Sequence, residues 1–193
     1  MSRGRSLPKV LTEQEQKDFL KQFNTRYRTP HRNLCMVRLM LQAGLRAGET
    51  VALKSEHLDM MTCKLTIREG KGAKDRTLWI NEDLRDLIGE WLQRKPDSQW
   101  LFPTRTGKQV DTSHLRRMVK RKAREAHIDE WEKVSPHTLR HTFATGLYRE
   151  TKNIRLVQKA LGHSDLSTTM IYTHIVDEEL EDALKHYGGN IQY

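Results

Sequence analysis

The positions of the apolar residues divide this chain into elements. After a polar, basic opening, "MSRGRSLPKV", Thr12 and Glu15 form a capping box, and Phe19, Leu20 and Phe23 share one helical face. Pro30 can open a second helix with the stripe Leu34, Val37 and Leu41 and with Gly44 as its stop, and "GLRAGETVAL" turns into a short helix. The period then changes. "KLTIR" and "RTLWI" alternate as strands do, and "EGKGAKD" between them supplies the glycines of a tight hairpin. Asn81 caps the clearest helix, which places Leu84, Leu87, Ile88, Trp91 and Leu92 on one face before Pro96. Asp111 to Ser113 offer caps for a helix that turns Leu115, Met118, Val119, Ala123 and Ala126 inward. Ser135 and Pro136 read as N-cap and first residue of the next, and Asn153 caps "NIRLVQKAL", which stops at Gly162. Ser167 caps a short helix through Tyr172, and "DEELEDALKHY" is an acidic amphipathic piece with Leu180 and Leu184 on one side. With no repeat and no low-complexity linker, the pattern predicts a mainly α domain with a small antiparallel β-sheet, of the α+β class. Residues 1–10 read as a basic N-terminal arm and 11–193 as one domain.

Composition narrows the function. A chain of 193 residues can bury a core unaided, and a net charge of +9 with a pI near 9.7 is the footprint of a polyanion binder. Nucleic acid is the leading partner, although a ribosomal or membrane-surface role gives the same sum. No run approaches the roughly 18 to 20 apolar residues that span a bilayer. Cys35 and Cys63 lack metal or redox spacing, and without a signal peptide both read as reduced packing residues of a cytosolic protein. The basic residues cluster on one helix: Arg116, Arg117, Lys120, Arg121 and Arg124 lie around the face that the core leaves over. That suits a phosphate backbone, and equally a plain solvated face.

The segment "SPHTLRHTFATGL" carries the candidate chemistry. His137, Arg140 and His141 fall within an arc of about 100°, opposite Leu139, Phe143, Gly146 and Leu147, which predicts a polar face that the core does not need. Two histidines at i and i+4 can bind zinc, but no Glu stands between them and the arginine repels a dication. They can also be half-exposed residues satisfied by neighbours. A third reading is a phosphate site, with the guanidinium as a planar fork and histidine as a proton donor or acceptor.

"HTLRH", then "LGHSD", then "YTH" resemble the motifs of the tyrosine recombinases (phage integrases and Xer-type proteins), "AGLRAGET" resembles their first box, and "GKGAKDR" their β-hairpin lysine motif. The five motifs occur in family order between about Leu11 and Tyr187. The resemblance implies the catalytic-domain fold of that family. It also implies a site-specific recombinase or integrase that cleaves and rejoins DNA through a 3′-phosphotyrosine intermediate, without cofactor or metal. Tyr172 matches the nucleophile, Arg46 and Arg140 the phosphate-clamping arginines, and Lys71 the general acid, with Lys74 as fallback. His137 matches the proton-relay histidine, His163 the phosphate-bonding one, and Glu49 a supporting residue. His141 matches a position that is usually filled but not catalytic. Lys74, Arg76 and the basic helix residues named above read as further DNA contacts. Thr50 stands where a Leu is common, and no room remains for the family's additional N-terminal domain, so the chain reads as an excised catalytic domain or as a short single-domain member. The implied partners are double-stranded DNA, a homotetramer on DNA that exchanges C-terminal segments, and an accessory DNA-bending protein. The implied place is the cytoplasm, at the nucleoid. Two other functions compete: a DNA-binding regulator without cleavage, and a metal-dependent nuclease using His137, His141 and His163.

Overall fold

One helix has no exposed residue from His31 to Ala43, and such a helix lies at the centre of a fold. In the computed structural model, which describes residues 8–68, 75–162, 169–173 and 175–177, that helix is α2. The helices are α1 (Glu13–Lys21), α2 (Arg28–Ala43), α3 (Ala47–Ala52), α4 (Glu82–Leu92), α5 (Thr112–Glu125), α6 (Pro136–Thr151) and α7 (Ile154–Leu161), and residues 171–173 and 175–177 are also helical. The strands β1 (Leu58–Asp59), β2 (Lys64–Ile67) and β3 (Arg76–Trp79) form an antiparallel sheet in chain order. The fold is thus mainly helical with one small antiparallel sheet, as the pattern predicts.

Buried Cys35, Met36, Val37, Leu39 and Met40 let α2 pack on α6 from one side and α4 from another. It begins at Arg28, two residues before Pro30. The proline takes a first-turn position, where its missing N–H would have had no helical partner anyway. Even its polar residues are tied in: His31 Nε2 bonds the Leu87 carbonyl at 3.0 Å, and Arg94 donates to His31 Nδ1 at 3.1 Å.

The caps on α1, α4, α5 and α7 are Thr12, Asn81, Asp111 and Asn153, and each side chain accepts a first-turn N–H. In the sheet, Leu65 pairs with Leu78 and Ile67 with Arg76, so these four share the inward face while Trp79 stands exposed opposite Lys64. β1, only two residues long, is too short to show alternation in sequence. A second, smaller apolar cluster of Ala144, Val157, Leu161, Tyr172 and Ile175 lies beyond α6. Val10, assigned to the arm from sequence, packs against this cluster, and Lys9 pairs with Glu15 at 2.7 Å. Residues 175–177, beyond Tyr172, are also helical, and Ile175 is buried in the same cluster.

Candidate active site

Three helix ends and a strand converge on one carboxylate. α2 stops at Gly44 with φ +65°, a conformation suited to glycine, and any Cβ there would lie 2.4 Å from the Phe143 ring. The chain then turns through Arg46 into α3. Glu49, in the first turn of α3, accepts from the Arg46 backbone N–H at 2.7 Å and from Arg46 Nη1 at 2.7 Å. From β3, Arg76 meets the same carboxylate with two bonds, Nη1 to Oε1 at 2.9 Å and Nη2 to Oε2 at 2.7 Å, and its Nε reaches the Ala160 carbonyl at 3.2 Å. From α6, Arg140 donates to the Gly44 carbonyl and, at 2.7 Å, to the Leu161 carbonyl, with Nη1 3.9 Å from Glu49 Oε2.

The charges follow from this geometry. Burial alone would raise the Glu49 carboxyl, but the Arg76 bonds and charge and then the Arg46 bonds outweigh it and hold the group at about 2. Burial, and after it the Arg46 charge, lowers Arg140 to about 10, so it stays cationic at neutral pH. Three guanidiniums therefore surround one carboxylate, and the positive excess favours a phosphate. Arg46 is the member open to solvent: its side chain is 39% exposed, against 8% for Arg76 and 6% for Arg140.

Tyr172 is 1% exposed, and its hydroxyl is 3.0 Å from His141 Nδ1. Burial raises its pKa, with the Arg140 and Arg46 charges opposing. Burial, then the His137 and Arg140 charges, pushes His141 down to about 4, so the imidazole is neutral at pH 7. His137 is exposed, in the first turn of α6. The charges that act on one another thus bring together Arg46, Glu49, Arg140 and Tyr172 from the expected set, with His137 beside them. Lys71, Lys74 and His163 lie outside the described residues, as do Ser167 and the segment with Leu180 and Leu184. Among the described residues, no group of three or more His, Cys, Asp or Glu is placed to hold a metal ion.

Three readings of the sequence change. The arc of His137, Arg140 and His141 is only partly left over by the core: His137 is exposed and His141 half-buried, but α6 packs on both α2 and α7, and Arg140 is 5% exposed. Arg76, read from sequence as a DNA contact, is buried, and its guanidinium goes to Glu49 and Ala160. The signal was available, since Arg76, Leu78 and Ile80 alternate onto one strand face. His141, set aside from the chemistry by the resemblance, is the residue bonded to Tyr172. On α5, Arg116, Arg117, Lys120, Arg121 and Arg124 are all exposed; Lys120 and Arg124 lie over the Trp131 ring, and Arg121 pairs with Glu125 at 3.5 Å.

The profile of the phage integrase family matches residues 9–179. The tyrosine recombinase XerA of Thermococcus kodakarensis is 39% identical over 183 residues, covering 93% of this chain and 62% of its own length. XerD of Pseudomonas putida is 36% identical over 186 residues, covering 92% and 61%. The chain thus spans about three fifths of these curated relatives. A crystal structure of XerA recombinase superposes with a TM-score of 0.80 at 32% identity, covering 97% of this chain and 67% of that one. XerH site-specific recombinase, bound to its palindromic difH substrate after cleavage, gives 0.82 at 31% identity, covering 97% and 55%. A profile match over nearly the whole chain, together with a shared catalytic-domain fold, means that this chain belongs to the phage integrase family.

Proposed function

We propose that this chain is the catalytic domain of a site-specific DNA recombinase that breaks and rejoins DNA through a 3′-phosphotyrosine bond. The observation that carries this reading is the cluster of Arg46 and Arg140 around Glu49, within electrostatic reach of Tyr172. Tyr172 Oη attacks the scissile phosphorus, the P–O5′ bond breaks, and the phosphate stays on the tyrosine as a diester. Arg46 and Arg140 neutralise the nonbridging oxygens, where one preorganised donor is worth about 3 to 4 kcal/mol. Lys71 protonates the departing 5′ oxygen, His163 donates to the phosphate, and His137 relays the phenolic proton. His141, held at about 4, is too weak a base to take that proton and serves to hold the hydroxyl. Reversal by a 5′ hydroxyl of another strand reseals the DNA without an external energy source, since the diester is conserved.

Tyr172 must first leave its pocket, because a nucleophile needs to approach within about 3 to 3.5 Å of its target. Withdrawing a ring of this size costs about 2 kcal/mol and its hydrogen bond about 1 kcal/mol, so roughly one free molecule in a hundred presents it. DNA binding supplies the rest. Arg116, Arg117, Lys120, Arg121 and Arg124 carry phosphate contacts along α5. The working assembly is a homotetramer on double-stranded DNA with exchange of C-terminal segments, assisted by a DNA-bending protein and located in the cytoplasm at the nucleoid.

The test is a pool of nicked suicide duplexes of randomised sequence. The chain should form a covalent adduct that persists in EDTA and is lost in Tyr172→Phe; an adduct in that variant removes Tyr172 as the nucleophile. Burial of Tyr172 is the one observation that favours the other reading, a DNA-binding regulator without cleavage. That reading predicts salt-dependent binding with no adduct on any duplex.

A further inference from the structure

At the opposite end of α2 from Gly44, a cavity of about 270 Å³ is lined by Arg28, Thr29, Arg32, Thr104 and Arg105, with Pro103 among its walls. No residue that lines it is acidic. α2 has 16 residues and is therefore about 24 Å long, which separates this cavity from the Glu49 cluster by most of the helix.

Arg32 is the unusual member. Only 5% of it is exposed, yet its partners are all neutral: Nη1 donates to the Pro103 carbonyl at 2.9 Å, while Nε and Nη2 donate to Asn33 Oδ1 at 3.2 and 2.9 Å. A guanidinium has five N–H groups, and these bonds use three of them. A buried cation is ordinarily offset by a carboxylate, and among the described residues none pairs with this one. Burial pushes its pKa below the ordinary arginine value. Arg28 and Arg105, which also line the cavity, are exposed. Three guanidiniums around one cavity suit a multiply charged tetrahedral anion better than a single carboxylate, because a phosphate offers oxygens in three directions.

We propose that the cavity formed by Arg28, Arg32 and Arg105 is a second phosphate-binding site, separate from the catalytic cluster. The phosphate is either a backbone group of DNA lying beyond the cleavage point or that of a small phosphorylated compound. The site does not depend on the recombinase reading.

Titration calorimetry of the 193-residue chain with inorganic phosphate at low ionic strength tests it, in an Arg46→Ala background that removes the most open arginine of the catalytic cluster. The comparison variant is Arg28→Ala/Arg105→Ala, two exposed positions, with circular dichroism to verify folding. One saturable phosphate site that weakens at least tenfold in the double variant supports the proposal. A second arm measures binding to an arbitrary duplex against salt. If the bound phosphate belongs to DNA, the double variant lowers the slope of log affinity against log salt by about one to two; if it belongs to a small compound, the slope is unchanged and only phosphate binding weakens. Phosphate binding that is equal in the two proteins with equal slopes overturns the proposal, as does no saturable phosphate binding with equal slopes.

Discussion

Glu49→Gln isolates the carboxylate on which three arginines converge. The folded carboxyl sits at about 2 against an ordinary 4.5, and each unit is worth about 1.4 kcal/mol, so its ionisation contributes about 3 kcal/mol to stability at neutral pH. Removing one partner of a buried ion pair independently gives about 3 to 5 kcal/mol. Because the folded pKa is depressed, this stability is fully present above about 4.5 and is lost as pH falls towards 2. Urea unfolding of both proteins at pH 7 and in steps down to pH 2.5 provides the comparison. The variant should be about 3 kcal/mol less stable at pH 7, a drop of about 6 to 12 °C in melting temperature for a chain of this size. The gap should close progressively below pH 4.5. A gap that stays constant from pH 7 to pH 2.5 would refute the reasoning, since it would mean that shape rather than charge at Glu49 holds the arginines.

Three further outcomes follow from contacts already described. His141, at about 4 when folded against an ordinary 6.5, should cost the wild type about 2 to 3 kcal/mol as pH falls from 6.5 through 4; His141→Gln should lack that loss in unfolding curves, and parallel curves would count against a neutral buried imidazole. Gly44→Ala combines a left-handed backbone with a Cβ 2.4 Å from Phe143, so denaturation should show a loss of about 2 to 4 kcal/mol, and a loss under about 0.5 kcal/mol would be inconsistent with that geometry. Tyr172→Phe removes one hydrogen bond while keeping the buried ring, so stability should fall by only about 1 kcal/mol even as the DNA adduct disappears. A loss above about 3 kcal/mol would mean that the hydroxyl, not the ring, anchors the segment.

Helix starts and stops were legible because capping is local chemistry: Thr12, Asn81, Asp111 and Asn153 cap as the sequence indicates, and Gly44 and Gly162 end their helices with positive φ. What the sequence concealed was contact between distant segments. A helical wheel places His137, Arg140 and His141 on one side of α6, but it does not reveal that the C-terminal ends of α2 and α7 meet Arg140 there and bury it. Likewise, motif order gives Arg46, Glu49 and Arg140 as a set, whereas the insertion of Arg76 between Glu49 and Ala160 depends on how the sheet packs. The bond from His141 to Tyr172 joins positions 31 residues apart, and no spacing rule encodes it.

The carbonyls that hold Arg140 and Arg76, those of Gly44, Ala160 and Leu161, sit at the C-terminal ends of α2 and α7. A helix C-terminus carries the equivalent of about half a negative charge, and this partial charge needs neither a side chain nor a titrating group. Two such ends beside Glu49 offset roughly two of the three positive charges, which is how the guanidiniums can stand together in the free protein without driving their segments apart. The backbone's share of that offset, about one unit of negative charge, is set by chain direction. It therefore stays constant with pH across the range in which side chains titrate, and any change that frays the last turn of α7 removes about half of it without touching an arginine.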